Sequence, residues 1–308
     1  MPSPKPSPLR RLAALTVLVL GAAVVVGLYR GMQPRYRLTR AIINLPQGVT
    51  FSTSPAQFAL SPNGQQLAIN LRSAGAVQVW TWPLDGADAR PLTGTEGVTS
   101  LPAWSPDSRN VAFVSGGTLR RIPAAGGPVE TICALAPEAT FDWGADETIL
   151  LGAGGTEPIR RVAAIAGGTV RQITRLYPDE QHEFPKFIPG VRRFLFFVQS
   201  DELRDGLWLG SLDGGQGRRI VPRAANAAVA GDLLVYSLDR LVIAQRFDAA
   251  TAEFSGMPVT LADNVRMAAN SRRLAYSVTD TRPVLAFQSD TDGLLHLTNG
   301  WPALLDGK

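Results

Sequence analysis

The chain of 308 residues is 45% hydrophobic and 18% charged, with 30 Gly and 23 Pro along its length, a profile that fits one large domain of many short strands and turns without requiring a second domain. The net charge of +4 comes from scattered basic residues, in pairs such as Arg120-Arg121 and Arg272-Arg273, and the lack of a basic stripe interleaved with aromatics argues against a nucleic-acid partner. The single Cys133 excludes an intramolecular disulfide, and its place in the apolar segment Val129 to Cys133 reads as a buried filler rather than a reactive thiol.

In chain order, residues 1–11 predict a disordered, basic, Pro/Ser-rich leader carrying Lys5, Arg10 and Arg11. Leu12 to Tyr29 is uncharged and rich in Leu, Val and Ala, which predicts a transmembrane helix over 12–30 that meets the lipid bilayer through residues 12–29. A cleavable signal is the alternative, since Gly21-Ala22-Ala23 offers small residues, but Val24, Val25, Val26 and Leu28 continue the apolar run beyond them. Basic residues flank the helix on both sides, so charge bias alone does not orient it. A short leader before a long domain places the amino terminus in the cytoplasm and the large domain outside. Residues 31–37 form a linker.

From residue 38 to 308 the chain repeats with a period of about 40 residues, the length of one four-stranded propeller blade. Each unit opens with a turn and an apolar strand. The clearest copies are Ala59-Leu60-Ser61-Pro62-Asn63-Gly64 ahead of Leu67, Ile69 and Leu71, and Ala103-Trp104-Ser105-Pro106-Asp107-Ser108 ahead of Val111 and Phe113. Weaker copies lie at Gly144-Ala145-Asp146-Glu147, Ile188-Pro189-Gly190, Val229-Ala230-Gly231-Asp232 and Ala268-Ala269-Asn270-Ser271. A second feature keeps the same phase. Hairpin turns recur at Pro83-Leu84-Asp85-Gly86, Pro123 to Gly127, Ala164 to Gly168, Ser211 to Gly215 and Arg246 to Ala250. No helical periodicity follows Tyr36, so each sheet must bury its faces against neighbouring sheets, which predicts an all-β propeller of about six blades. Ala41 to Leu45 reads as the strand that completes the last blade, with Pro283 to Gln288 and Leu294 to Thr298.

The Ser-Pro-Asn/Asp-Gly/Ser turn with its apolar strand resembles the TolB-type, WD40-like (PD40) propeller repeat of bacterial envelope proteins. Residues from about 38 to 280 are most similar to the propeller that follows the transmembrane helix in some bacterial serine/threonine protein kinases of the acidobacterial sort. The similarity runs through Leu92 to Gly97, Ala103 to Ser108, His182 to Gly190, Gly210 to Gly214 and Leu241 to Asp248. It implies a periplasmic or extracellular propeller tethered to the bacterial inner membrane. The acidic turn residue is missing at Ile188-Pro189-Gly190, the region after Asp280 aligns poorly, and no kinase domain stands in the few residues before the helix, so kinase activity does not carry over.

Catalytic motifs are absent from the sequence. There is no phosphate-binding loop, Gly152-Ala153-Gly154-Gly155 lacks the last glycine of a dinucleotide fingerprint, and Gly210-Ser211-Leu212-Asp213-Gly214 does not have nucleophile-elbow spacing. No cofactor or metal is expected. The segment Asp179-Glu180-Gln181-His182-Glu183 reads as a solvated connecting loop in which His182 satisfies a backbone carbonyl, with ligand contact or cation binding as alternatives. Asp290-Thr291-Asp292-Gly293 reads as a hairpin turn rather than a calcium loop. Trp104, Trp143 and Phe187 open their units and serve either as packing between blades or as the lining of a ligand funnel. The candidate ligand-binding set is therefore His182, Glu183, Trp104, Trp143 and Asp142.

The sequence is compatible with three functions. The first is a membrane-anchored extracytoplasmic binding module, acting as sensor or scaffold for an unknown protein or small ligand. The second is the sensor portion of a split or truncated receptor kinase. The third is an envelope enzyme using channel carboxylates such as Asp142 or Glu183.

Overall fold

The Ser-Pro turns show how this sequence is cut into strands. In the first, the Ser61 hydroxyl donates to Asn63 Oδ1 (2.7 Å) and accepts from the Gln66 amide (2.9 Å), while Gly64 N donates to Ser61 O (2.8 Å). Ser105 and Asp107 repeat the arrangement, with the Ser105 hydroxyl donating to Asp107 Oδ1 (2.6 Å) and accepting from the Asn110 amide (2.8 Å). The fourth position needs a left-handed backbone. Gly64 adopts it without cost at φ 65°, and Ser108 takes the same conformation at φ 61°. The Ser105 hydroxyl holds the Asp107 carboxyl below its usual range.

The computed structural model describes residues 39–306 except 55, 138, 153, 154, 156, 202, 270 and 280–282. The leader, membrane helix and linker read over residues 1–37 lie outside the described residues. Among the described residues, no helix is long and apolar enough to cross a membrane.

Among the described residues, twenty-five strands form six antiparallel sheets. After β1 (Thr39–Ile43), the first blade contains β2 (Val49–Phe51), β3 (Phe58–Leu60), β4 (Gln66–Ser73), β5 (Ala76–Pro83) and β6 (Arg90–Pro91), with β2 and β3 sharing the inner position beside β4. The second has β7 (Ala103–Trp104), β8 (Asn110–Ser115), β9 (Thr118–Pro123) and β10 (Glu130–Ala134). The third has β11 (Thr140–Trp143), β12 (Thr148–Gly152), β13 (Arg160–Ala163) and β14 (Arg171–Gln172). The fourth has β15 (Gln181–Phe187), β16 (Arg193–Gln199), β17 (Gly206–Ser211) and β18 (Arg218–Pro222). The fifth has β19 (Ala227–Ala230), β20 (Leu233–Leu238), β21 (Leu241–Asp248) and β22 (Glu253–Ala262). The sixth combines β23 (Tyr276–Val278), β24 (Val284–Gln288) and β25 (Leu295–Asn299) with β1, and a 3-10 helix over Trp301–Asp306 follows.

Six apolar clusters, one between each pair of successive blades, make up the core. Strand alternation feeds them: Phe194, Phe196 and Val198 of β16 face Leu150, Ile159 and Ile173 of the third blade, while Leu195 faces Leu234 and Tyr236 of the fifth. The cluster joining the first and sixth blades closes the ring, with Ile43, Val284, Leu295 and Leu297 on Leu67, Ile69 and Leu71. The strand expected over Ala41 to Leu45 is found two residues earlier, antiparallel to β25 with Ile43 opposite Leu295.

Two expectations need correction. The turn at residues 268–271 leads into the innermost strand of its blade, β23, whereas the Ser-Pro turns lead into the second strand, so the sixth copy is one strand out of phase. The sixth blade takes its outermost strand from the start of the domain, and its repeat is therefore not written continuously in the sequence. Cys133 is half-buried rather than enclosed, because β10 is the outer strand of its blade; burial still pushes its thiol up.

Candidate functional site

Alternating strand directions put the loops that enter each inner strand and the loops that join second to third strands on one face of the ring. On that face, between the third and fourth blades, opens a cleft of about 590 Å³ that continues down to the Leu212–Gly217 turn. Its floor is the apolar cluster shared by these blades: Ile173, Phe196, Val198, Trp208 and Leu212. Its polar rim carries Arg161, Arg175, Tyr177 and Arg204.

The loop between β16 and β17 supplies Arg204. Its guanidinium carbon lies 4.6 Å from the centroid of the Tyr177 ring and 4.6 Å from that of Trp208, and its Nε bonds Glu180 Oε1. The Trp208 indole donates back to Arg204 O (2.8 Å). Glu180 also accepts the Tyr177 amide (3.1 Å), so a buried carboxylate ties both ends of this wall together. Arg175 approaches the Tyr177 ring at 5.5 Å.

Beneath the wall, His182 is buried edge-on to Phe196 at 5.0 Å. Its Nδ1 is 2.9 Å from Thr174 Oγ1, which already accepts the Ile159 amide (2.8 Å). The Thr174 hydroxyl has one proton to give, and donating it to Nδ1 leaves the ring proton on Nε2, 3.4 Å from Glu180 Oε2. Nε2 forms no hydrogen bond there. Burial lowers the His182 pKa, and the neighbouring Glu180 opposes the shift only in part. The solvated loop expected over Asp179 to Glu183 is corrected accordingly. Gln181 to Glu183 belong to the inner strand β15, Glu180 and His182 are buried, and His182 meets a hydroxyl and a carboxylate rather than a backbone carbonyl.

Of the five residues singled out from the sequence, His182 alone lines this cleft. Glu183 follows it in a strand and so faces the other side of the sheet. Its Oε2 is buried without a hydrogen-bond partner, burial raises its pKa, and the next residue, Phe184, has a positive φ of 51° where β15 slips register. Asp142 is committed elsewhere: Oδ1 pairs with Lys186 Nζ (2.6 Å) and Oδ2 accepts the Phe187 amide (2.8 Å), which fastens β15 to β11. Trp104 lies in the core between the first and second blades, its indole donating to Ala59 O (2.9 Å), and Trp143 lies in the core between the second and third. Among the described residues, no cluster of three or more His, Cys, Asp or Glu is placed to hold a metal ion.

Glu183 allows a pH prediction. Its folded pKa is raised, so the native state binds more protons than the unfolded chain above the ordinary value of 4.5, and stability present below that pH is lost as pH rises through the folded pKa. Glu183→Gln is expected to match the wild type near pH 4.5 and to melt increasingly above it toward pH 8. Thermal melts at the two pH values check this, and a constant difference would refute it. His182 contributes the opposite slope, since its lowered pKa costs stability as pH falls below 6.5.

Sequence reasoning missed Arg204, Tyr177 and Trp208. The available signal was the length of the segment between Gln199 and Gly206, against two-residue turns at the same place in the first, second and fifth blades.

No family model matches the chain, and no curated protein does. Solved structures do. A catalytically inactive virginiamycin B lyase from Staphylococcus aureus aligns with a TM-score of 0.56 at 11% identity, covering 86% of this chain and 99% of that one. A putative TolB from Agrobacterium tumefaciens aligns with a TM-score of 0.52 at 16% identity over 86% of this chain and 99% of that one. TolB from Acinetobacter baumannii aligns with a TM-score of 0.49 at 11% identity over 79% of this chain, which spans about half (53%) of that protein. At such identities the likeness establishes the fold alone: the chain forms a six-bladed, TolB-like β-propeller.

Proposed function

We propose that this chain is a membrane-anchored extracytoplasmic propeller that serves as a binding module, sensing or scaffolding a protein or small ligand. The observation that supports the reading is the cleft between the third and fourth blades, with its apolar floor and the Arg204 wall held by Tyr177, Trp208 and Glu180. The apolar segment over residues 12–29 supports the anchor.

The test is capture from the envelope fraction with the full chain in mild detergent, comparing wild type with Gln172→Trp, which puts a bulky ring at an exposed position of the cleft rim. The expected result is a partner or small molecule, identified by mass spectrometry, that accompanies the wild type and is at least several-fold depleted with the variant. Equal recovery with both would refute the cleft as the binding site. Release of the full chain from membranes by alkaline carbonate would refute the anchor.

A second reading, an enzyme using a channel carboxylate, is favoured by Glu183 alone, with its unpartnered buried oxygen beside a strained residue. Any activity found on a panel of small substrates should vanish in Glu183→Ala; wild-type turnover no greater than that of the variant ends this reading.

A further inference from the structure

We infer that the cleft between the third and fourth blades takes a small organic anion with an aromatic or otherwise apolar body, an inference that rests on the binding-module reading and narrows its ligand. The charge balance of the lining carries it. Three guanidinium groups, those of Arg161, Arg175 and Arg204, face one lining carboxylate, that of Asp213. Asp213 is itself engaged by Arg192, which approaches with Nε at 3.1 Å and Nη2 at 2.5 Å. Arg204 is neutralised from below by the buried Glu180.

The other two arginines have no such partner. Arg161 directs Nη1 to the neutral carbonyl of Leu212 at 3.2 Å, and no carboxylate among the described residues forms an ion pair with it. Arg175 is exposed, and among the described residues only the Tyr177 ring engages its guanidinium. Arg161 and Arg175, which form no ion pair among the described residues although the Arg161 charge is felt by Asp213, thus border a cleft whose floor is the side chains of Ile173, Phe196, Val198, Trp208 and Leu212. A carboxylate, sulfonate or phosphate would accept charge-assisted hydrogen bonds from Arg161 or Arg175, in the planar geometry that guanidinium groups favour. An apolar body attached to it would cover the floor, which a free inorganic anion would leave wet. The cleft volume of about 590 Å³ suits a ligand of this size.

The experiment uses the full chain in detergent and two fluorinated probes of like shape, 4-(trifluoromethyl)benzoate and neutral 4-(trifluoromethyl)benzamide, followed by fluorine NMR line broadening with empty micelles as blank. The expected result is broadening of the benzoate at sub-millimolar concentration, with markedly weaker binding of the benzamide and loss of the preference at high salt. The double variant Arg161→Gln/Arg175→Gln should weaken benzoate roughly tenfold and leave benzamide unchanged, as removal of charge-assisted bonds requires. Arg109→Gln, far from the cleft, should behave as wild type, and unchanged melting temperatures confirm that the variants fold.

Equal binding of the two probes, both abolished by Gln172→Trp, would overturn the anion inference while the cleft stands as a binding site. Benzoate binding that survives Gln172→Trp would place it elsewhere and overturn both. Absence of benzoate binding to the wild type overturns the inference alone, since envelope capture tests the wider reading independently.

Discussion

Deletion of residues 39–43 is expected to lower the melting temperature by at least as much as losing Ile43 alone. Ile43 is buried among Val284, Leu295 and Leu297 at the junction of the first and sixth blades, and truncating such a side chain costs about 2–4 kcal/mol. For a domain of this size that corresponds to a fall of roughly 5–15 °C for Ile43→Ala. The deletion adds the loss of five registered strand pairs with β25, and it leaves an unpaired edge where the ring should be sealed. Its effect should exceed that of Ile42→Ala, an exposed neighbour on the same strand. Differential scanning fluorimetry of the three variants checks the order; a deletion that melts like the wild type would mean that β1 does not close the ring.

Arg204→Met is expected to destabilise the fourth blade by about 3–5 kcal/mol, because it leaves the buried Glu180 carboxylate without its guanidinium partner. Methionine retains most of the apolar packing between Tyr177 and Trp208, so the loss reports charge rather than volume. The double variant Glu180→Gln/Arg204→Met should regain most of that stability, since both charges are then gone and a glutamine can still accept the Tyr177 amide. Chemical denaturation of the single and double variants provides the comparison. A double variant no more stable than Arg204→Met would show that the stack, not the ion pair, holds this wall.

Both predictions concern features of different legibility in the sequence. The six-bladed ring was readable because its causes are local. Ser61-Pro62-Asn63-Gly64 and Ser105-Pro106-Asp107-Ser108 close their own hydrogen bonds within a few residues, and the apolar alternation of Phe194 to Val198 declares two buried faces without reference to any other strand. Even the closing strand could be foreseen, because a ring of strands must satisfy its last edge.

The cleft was not readable, and neither was the fate of the candidate residues. His182 and Glu183 looked like one polar cluster, yet strand alternation sends their side chains to opposite sides of β15. Asp142 looked free until Lys186 and the Phe187 amide, 44 and 45 residues away, were brought against it. Arg204, Tyr177 and Trp208 come from a loop, a crossover and a strand, and only the docking of the fourth blade on the third stacks them. The sequence by itself thus determined the strands, their repeat and the need for closure, since those follow from turn chemistry and period-two burial. Which charges are paired, and which are left facing an open cleft, was decided by the tertiary structure, because ion pairing and desolvation depend on distances between segments that are remote in the chain.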